Sequence, residues 1–181
     1  MPSARVGASS PAAELAGQKC SGNGGNAIDC AIAAFFAAGG ATEGVILAPI
    51  AALVGGLGMS VRCLDGRAVQ AGSGLPRPRG WREDDEIPSG AYVAASRTLP
   101  TLALLHAYGA SHTMLALSKF GERSAKPCPE RAAFISQIGR QGAATLRSRS
   151  VSQALLAAAG HGAGGLLCEA DLHEARPEDE S

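Results

Sequence analysis

Gly24-Gly25-Asn26-Ala27-Ile28-Asp29-Cys30-Ala31-Ile32-Ala33-Ala34 joins a glycine turn to a helix made of small residues. The paired glycines permit positive φ and a tight turn, and Asn26 is a favourable N-cap because its side chain can accept a hydrogen bond from a free backbone N–H. Apolar side chains then recur at i, i+4, i+7 and i+8 on one face, at Ile28, Ile32, Phe35 and Phe36. The pattern predicts a buried amphipathic helix.

The residues around this helix indicate how closely it packs. Alanines between its larger side chains let another backbone or a sheet approach, and Gly39-Gly40 predicts a helix stop. On physical grounds alone, this segment is part of a packed core.

Size, composition and charge narrow the possible functions. A chain of 181 residues with 46% hydrophobic residues predicts one domain with a real core. Sixteen basic and sixteen acidic residues give zero formal charge, without a long basic run. Binding to nucleic acid or to an anionic membrane therefore has no electrostatic basis, and we expect neither partner.

Cysteine usage and apolar runs indicate the compartment. The five cysteines form no C-x-x-C pair, and an odd number predicts buried small hydrophobes in a reducing environment. The first residues contain no apolar leader segment, so the sequence favours the cytoplasm. The apolar stretch 45–59 contains Pro49 and is shorter than the roughly 20 residues that span a bilayer, which predicts a core segment.

The remaining chain divides into a hairpin, a loop and helices. The next segment predicts a β-hairpin: apolar and polar residues alternate over 59–63, Asp65-Gly66 forms a turn, and a second strand follows over 68–71. Residues 72–90 are rich in proline and glycine and predict an exposed loop, a common location for function. Helices are predicted at 10–20, 100–108, 111–120 closed by Gly121, 130–140, and 151–159 closed by Gly160.

Familiar cofactor motifs are lacking. The glycine-rich segments have neither dinucleotide-binding nor P-loop spacing, and the four histidines have no zinc-type spacing, so we expect no cofactor and no metal. Cys128 beside Lys126 is read as a loop cysteine, and Ser111-His112 lacks a nucleophile elbow.

The motif around Asn26 closely resembles the GGNAVDAAVAA signature in the large subunit of γ-glutamyltranspeptidases. Other pieces resemble the same family in the same order over most of the chain. They are 8–13 (ASSPAA), 54–59 (VGGLGM), the segment 60–71, 87–91 (IPSGA), 105–109 (LHAYG) and 164–172 (GGLLCEADL). The resemblance implies a single large-subunit domain over 1–181, with α+β architecture: half of the αββα sandwich of N-terminal-nucleophile hydrolases, contributing one helix layer and strands of both sheets.

The resemblance also implies a mechanism and a partner. In that family a precursor cuts itself, and the N-terminal Thr of the small subunit attacks an amide to form an acyl-enzyme. This sequence contains no such nucleophile motif, so no catalytic residue is assigned to it. A small (β) subunit is implied as partner, in an αβ heterodimer or a pair of them. Ser181 would then be a processed end, or a separate gene would supply the catalytic half.

Substrate preference is where the sequence departs from the family. The family arginine that binds the substrate α-carboxylate aligns with Gly72, and the following Glu aligns with Ser73. We therefore expect an acyl donor other than γ-glutamyl, bound near Gly72, Ser73, Gly74 and Arg77. The predicted function is an amidohydrolase or acyltransferase large subunit. The alternatives are a non-catalytic scaffold subunit with the same fold and, third, a membrane-associated helical protein.

Overall fold

A computed structural model describes residues 5–56, 58–76, 80, 82 and 84–180. Within these ranges the chain forms helices α1 (Pro11–Gly22), α2 (Ala27–Ala41), α3 (Thr98–Ala107), α4 (Met114–Ser124), α5 (Pro129–Gln141), α6 (Arg149–Ala159) and α7 (Glu169–Glu174). The strands are β1 (Ile50–Gly56), β2 (Met59–Gly66) and β3 (Glu178–Glu180). Short 3-10 turns occur at Val45–Leu47, Ser89–Tyr92, Gly142–Arg147 and His161–Ala163.

The three strands form one antiparallel sheet in the order β1-β2-β3, with Leu53 opposite Cys63. The predicted hairpin is wrong, because β2 runs through Asp65-Gly66 and its partner is the preceding strand β1. Gly58, at φ +81°, is the described residue of the turn that joins β1 to β2. Gly66 lies in the strand because it packs directly on α3, where a Cβ would lie 2.2 Å from the hydroxyl oxygen of Thr101. Residues 68–71 form no strand, and Val69 makes only an isolated bridge to Ala95.

Two predicted helix stops are also wrong. Helix α2 continues through Gly39-Gly40, and α4 continues through Gly121. A Cβ on Gly40 would lie 2.2 Å from the carbonyl oxygen of Gly121, and one on Gly121 would lie 2.6 Å from that of Phe36. These glycines let α2 and α4 cross at close range. The other predicted helices are confirmed to within a few residues, including α6 with Gly160 as its C-cap.

The core lies between the helices and one face of the sheet. The predicted buried face of α2 is confirmed: Ile32 and Phe36 are fully buried, and Ile28 and Phe35 pack against the same core. Leu64 of β2 reaches this core from the sheet. A smaller cluster forms beside it from Ala71, Ala95, Ala159, Leu167 and Leu172.

The other face of the sheet is open. Leu53 on β1 is 77% exposed and Val61 on β2 is 64% exposed, although both are large apolar side chains. The described residues therefore build one helix layer and one sheet that is covered on one side. Strands of a second sheet, which the sequence analysis expected from this chain, are not among them.

Two further sequence predictions can be compared with the structure. Cys20 and Cys30 are buried as predicted, and burial raises the pKa of the Cys20 thiol to about 12. Cys63, Cys128 and Cys168 are only partly buried, which corrects the prediction for these three. Among the described residues, no helix combines the length and the apolar character needed to cross a membrane.

Candidate functional site

The predicted substrate loop is fixed in place by a distant carboxylate. Asp171, in the first turn of α7, accepts hydrogen bonds from the backbone N–H of Gly72 at 2.8 Å and of Ser73 at 2.9 Å. It also accepts from the N–H of Cys168 at 2.9 Å. The structure therefore brings the predicted loop 72–74 against the 164–172 motif, which the sequence analysis treated as separate features.

Two glycines shape this loop. Gly72 has φ +92° and Gly74 has φ +73°, a region that side chains other than glycine rarely adopt. A Cβ on Gly72 would also lie 3.2 Å from the Cβ of Leu166. The position where the family resemblance places a carboxylate-binding arginine is thus built for a residue without a side chain. Arg77, the fourth predicted site residue, lies outside the described residues.

Asp171 is held as an anion by its surroundings. Burial alone would raise the pKa of this carboxyl group, but the amides of Gly72, Ser73 and Cys168 together hold its pKa below the ordinary aspartate value. These three donors are backbone N–H groups, and the Cys168 thiol is a fourth donor at 3.3 Å. This carboxylate therefore positions the loop and is not free to act as an acid or base.

Ser73 lines a small polar cleft of about 200 Å³. Two arginines, Arg97 and Arg176, line the same cleft, together with Glu174. The Arg97 guanidinium donates to the Glu178 carboxylate at 2.9 Å, so that cation already has a partner. The cleft carries groups suited to polar recognition, and Ser73 is the predicted residue that faces it.

A second buried carboxylate organises the opening motif. Asp29 is fully buried and accepts from the N–H groups of Asn26, Ser111 and His112 at 2.9, 3.1 and 3.0 Å. The Asn26 side chain caps α2 as predicted and also donates to the carbonyl of Gly109. Asp29 is not among the site residues predicted from the sequence. The signal was present, since an N-cap residue followed three positions later by an acid is a capping box.

The Asp29 cluster also contains a histidine ring. His112 Nδ1 lies 3.2 Å from an Asp29 oxygen, and the Ser111 hydroxyl accepts from the Asn26 amide at 2.9 Å. Burial opposes ionisation of Asp29, but the hydrogen bonds from His112, Asn26 and Ser111 lower its pKa. The residues Ser111, His112 and Asp29 lie together, yet the serine hydroxyl is bonded to Asn26 and no Ser–His pair forms. Among the described residues, no group of three His, Cys, Asp or Glu is placed to hold a metal.

Comparison with known proteins agrees with this geometry at the level of the fold. No protein-family model matches the sequence, and no curated protein matches it. Among solved structures, γ-glutamyltranspeptidase from Pseudomonas nitroreducens, complexed with L-DON, is similar to 99% of this chain at a TM-score of 0.83 and 15% identity. The chain has the γ-glutamyltranspeptidase fold. The fold that the sequence resemblance implied is thereby confirmed.

Two further structures give the same result. γ-Glutamyltranspeptidase from Helicobacter pylori is similar over the whole chain at a TM-score of 0.79 and 17% identity, and the Bacillus anthracis transpeptidase CapD at 0.77 and 16%. The chain spans about two thirds of the length of these transpeptidases: 67% of the Pseudomonas chain, 66% of the Helicobacter chain and 71% of CapD. Identities this low establish the fold alone.

Acid should weaken the fold through both buried carboxylates. Because the folded-state pKa values of Asp29 and Asp171 lie below the ordinary value of 3.8, their stabilisation is complete above that value and is lost as the pH falls through the lower folded values. We expect the free energy of unfolding, from urea titrations, to be level near neutral pH and to fall below about pH 4.

An Asp171→Asn variant provides the control for this pH dependence. It should be less stable at pH 7 but should lose less stability between pH 5 and pH 2, because one of the two linked groups is gone. Asp65, whose pKa the hydrogen-bonded Arg67 lowers to about 2, contributes equally to both proteins. An equal loss in the variant and the unmodified chain would contradict the assignment to Asp171.

Proposed function

We propose that this chain is the non-nucleophilic half of a γ-glutamyltranspeptidase-like amidohydrolase or acyltransferase, completed by a small (β) part that carries the nucleophile on its N-terminal Thr, Ser or Cys. The open apolar face of the sheet is the observation that carries the proposal. In the αββα sandwich that the family resemblance implies, each sheet lies between a helix layer and the second sheet, and here Leu53 and Val61 face solvent. A second sheet from the completing part would cover them.

The chemistry of the described residues also supports a nucleophile that lies on the completing part. The two buried carboxylates, Asp29 and Asp171, hold backbone amides, and Ser111 is bonded to Asn26. The Cys168 thiol donates to the Asp171 carboxylate at 3.3 Å, but backbone amides hold the pKa of that carboxyl group below its ordinary value, which makes it a weak base for activating a nucleophile. The Ser73 hydroxyl lies at the limit of hydrogen-bond distance, 3.5 Å, from the exposed Glu174 carboxylate. The reacting group therefore comes from outside these clusters.

The acyl donor, in this proposal, is not a γ-glutamyl group. Bidentate recognition of a carboxylate calls for an arginine, and Gly72 occupies the aligned position with a backbone that excludes a side chain. Gly72, Ser73 and Gly74 would instead form one wall of the substrate site, with Ser73 facing the polar cleft and Arg77 as the remaining predicted contact. Location in the cytoplasm remains a prediction from the sequence.

One observation favours a second candidate, a non-catalytic scaffold subunit. Both carboxylates in the motifs that resemble the transpeptidases serve to position loops and helices. Motifs with purely structural roles are compatible with a protein that keeps the fold and has lost the chemistry. The experiment below separates the two candidates.

Purification of the tagged chain from its native host tests the completing part directly. Intact-mass analysis should show a second polypeptide that begins with Thr, Ser or Cys, in equal amount. A β-lactone should add covalently to that N-terminal residue because the free amine beside it acts as the base.

Matched variants locate the contact surface. Leu53→Asp places a charge on the open face and should weaken association at least tenfold without changing the thermal unfolding of the isolated chain, because a buried unpaired charge is costly. Leu15→Asp, at a 52% exposed position on α1, is the control and should bind normally. A stable monomer without a partner would overturn the proposed function. A bound partner that no electrophile labels would instead identify a scaffold.

A further inference from the structure

A cavity of about 360 Å³ lies beside α6 and α7, close to the candidate site. Its lining is dominated by leucines from the 3-10 turns, α6 and the α7 segment, with Tyr92 at its edge. We call it the apolar cavity. The leucines are Leu47, Leu146, Leu155, Leu167 and Leu172.

The lining of the apolar cavity provides few hydrogen-bond partners for water. No charged side chain lines the apolar cavity, and the hydroxyl of Ser96 already donates to Thr98 at 3.1 Å. Water in a protein cavity needs two to four polar partners to be held well. An apolar group that enters would therefore displace weakly held water and gain the full contribution of its buried surface.

The size of the cavity fits a ligand of moderate length. An engineered cavity of about 150 Å³ lined by similar side chains binds benzene, and ordinary ligand pockets begin near 300 Å³. The apolar cavity, at about 360 Å³, has room for a chain of several methylene groups or for one substituted ring.

Its position links it to the predicted substrate loop. Leu167 and Leu172 flank Asp171, the carboxylate that holds the loop 72–74. The segment 92–94 lines both this cavity and a neighbouring one of about 540 Å³, where Gln70 and His161 supply polar groups. Tyr92 in that segment is 72% exposed, which leaves the shared wall in contact with solvent.

We propose that the apolar cavity binds an unbranched alkyl group of a small-molecule ligand, namely the hydrocarbon chain of the acyl donor. Assignment of the ligand as acyl donor rests on the proposed function, whereas binding of the alkyl group depends only on the cavity. In this proposal the leucine lining selects the acyl donor by the length of its hydrocarbon chain. Recognition of a substrate carboxylate is then not needed, which accounts for a site without the carboxylate-binding arginine.

A chain-length series of neutral amides tests the binding. We expect the affinity of hexanamide, octanamide and decanamide for the full chain, from ligand-observed NMR, to rise about fourfold for each added methylene. The rise should level off once the cavity is full. Affinity that does not depend on chain length would overturn the proposal.

A matched pair of substitutions assigns the binding to this cavity. Ala68→Leu adds volume to the lining and should weaken decanamide binding at least tenfold. Ala31→Leu makes the same change at an exposed position of α2 and should leave the affinity unchanged. Equal binding by the two variants, both folded by circular dichroism, would also overturn the assignment.

The complex with the completing part separates failure of this inference from failure of the proposed function. Binding of decanamide must persist in the complex, and its exclusion there would show that a partner side chain fills the cavity and would overturn the inference. Covalent labelling of a partner N-terminus without any chain-length preference would retain the proposed function and reject the alkyl site. Chain-length-dependent binding without a labelled partner would retain the alkyl site and reject the proposed function.

Discussion

Replacing Asp29 with alanine is expected to lower the free energy of unfolding by about 3–5 kcal/mol, measured by urea denaturation at pH 7. The substitution leaves four partly buried hydrogen bonds without their acceptor: those from the N–H groups of Asn26, Ser111 and His112, and the contact with the His112 ring. Each bond to a charged group contributes about 1.5–3 kcal/mol, and the contributions overlap because the donors share one carboxylate.

Two variants test the cause of this loss. Asp29→Asn keeps the shape and one acceptor oxygen, so it should cost about half as much as the alanine variant. Glu43→Ala removes an exposed carboxylate that pairs with Arg131, and should cost less than about 1 kcal/mol. A loss below 1 kcal/mol in Asp29→Ala would show that the carboxylate does not organise the junction of α2 with the α3–α4 loop.

Gly40→Ala should be the other severe substitution, with an expected loss of about 3 kcal/mol. The new methyl group would lie 2.2 Å from the carbonyl oxygen of Gly121, which belongs to the backbone of α4 and cannot turn aside as a side chain can. Helices α2 and α4 would have to separate at their crossing. The midpoint of thermal unfolding and the urea titration both report the loss.

The same substitution in open space provides the comparison. Gly22 ends α1 and a Cβ there would have no atom within 4 Å, so Gly22→Ala should be neutral or stabilise by about 0.5 kcal/mol because alanine favours the helix. If both variants unfold alike, close helix crossing is not the reason that glycine occupies position 40.

Local sequence signals were reliable where the structure depends on neighbours along the chain. The capping residue Asn26 and the buried face with Ile32 and Phe36 were predicted because a helix start and a helical repeat are written within a few residues. The family resemblance added the fold class, which periodicity alone does not specify.

Glycine misled the sequence analysis because one residue type serves two purposes. A glycine that ends a helix and a glycine that lets two helices cross have the same local signal, and only the partner α4 shows that Gly40 belongs to the second group. Gly66 was similarly read as a turn, although it lies in β2 above Thr101. In both cases the deciding contact comes from a distant part of the chain.

The candidate site was found only in part for the same reason. The loop with Gly72 and Ser73 is predicted from its alignment with the transpeptidase pattern. Its hydrogen bond to Asp171 joins residues 99 positions apart, so no local sequence pattern indicates it. The apolar cavity is likewise assembled from separate segments, since Leu47 and Leu167 meet only in the folded chain. Spacing in the sequence cannot reveal such clusters.

The hydrogen bond between Asp171 and the amide of Gly72 implies an order of events during the synthesis of this protein. While the ribosome is still adding the middle helices, the nascent loop has no anchor, because the aspartate that will fix it has not yet been translated. The edge strand β3, which pairs with β2, arrives later still. The loop 72–74 can therefore be fixed only after Asp171 has been translated, when the residues of α1 to α6 have already been made.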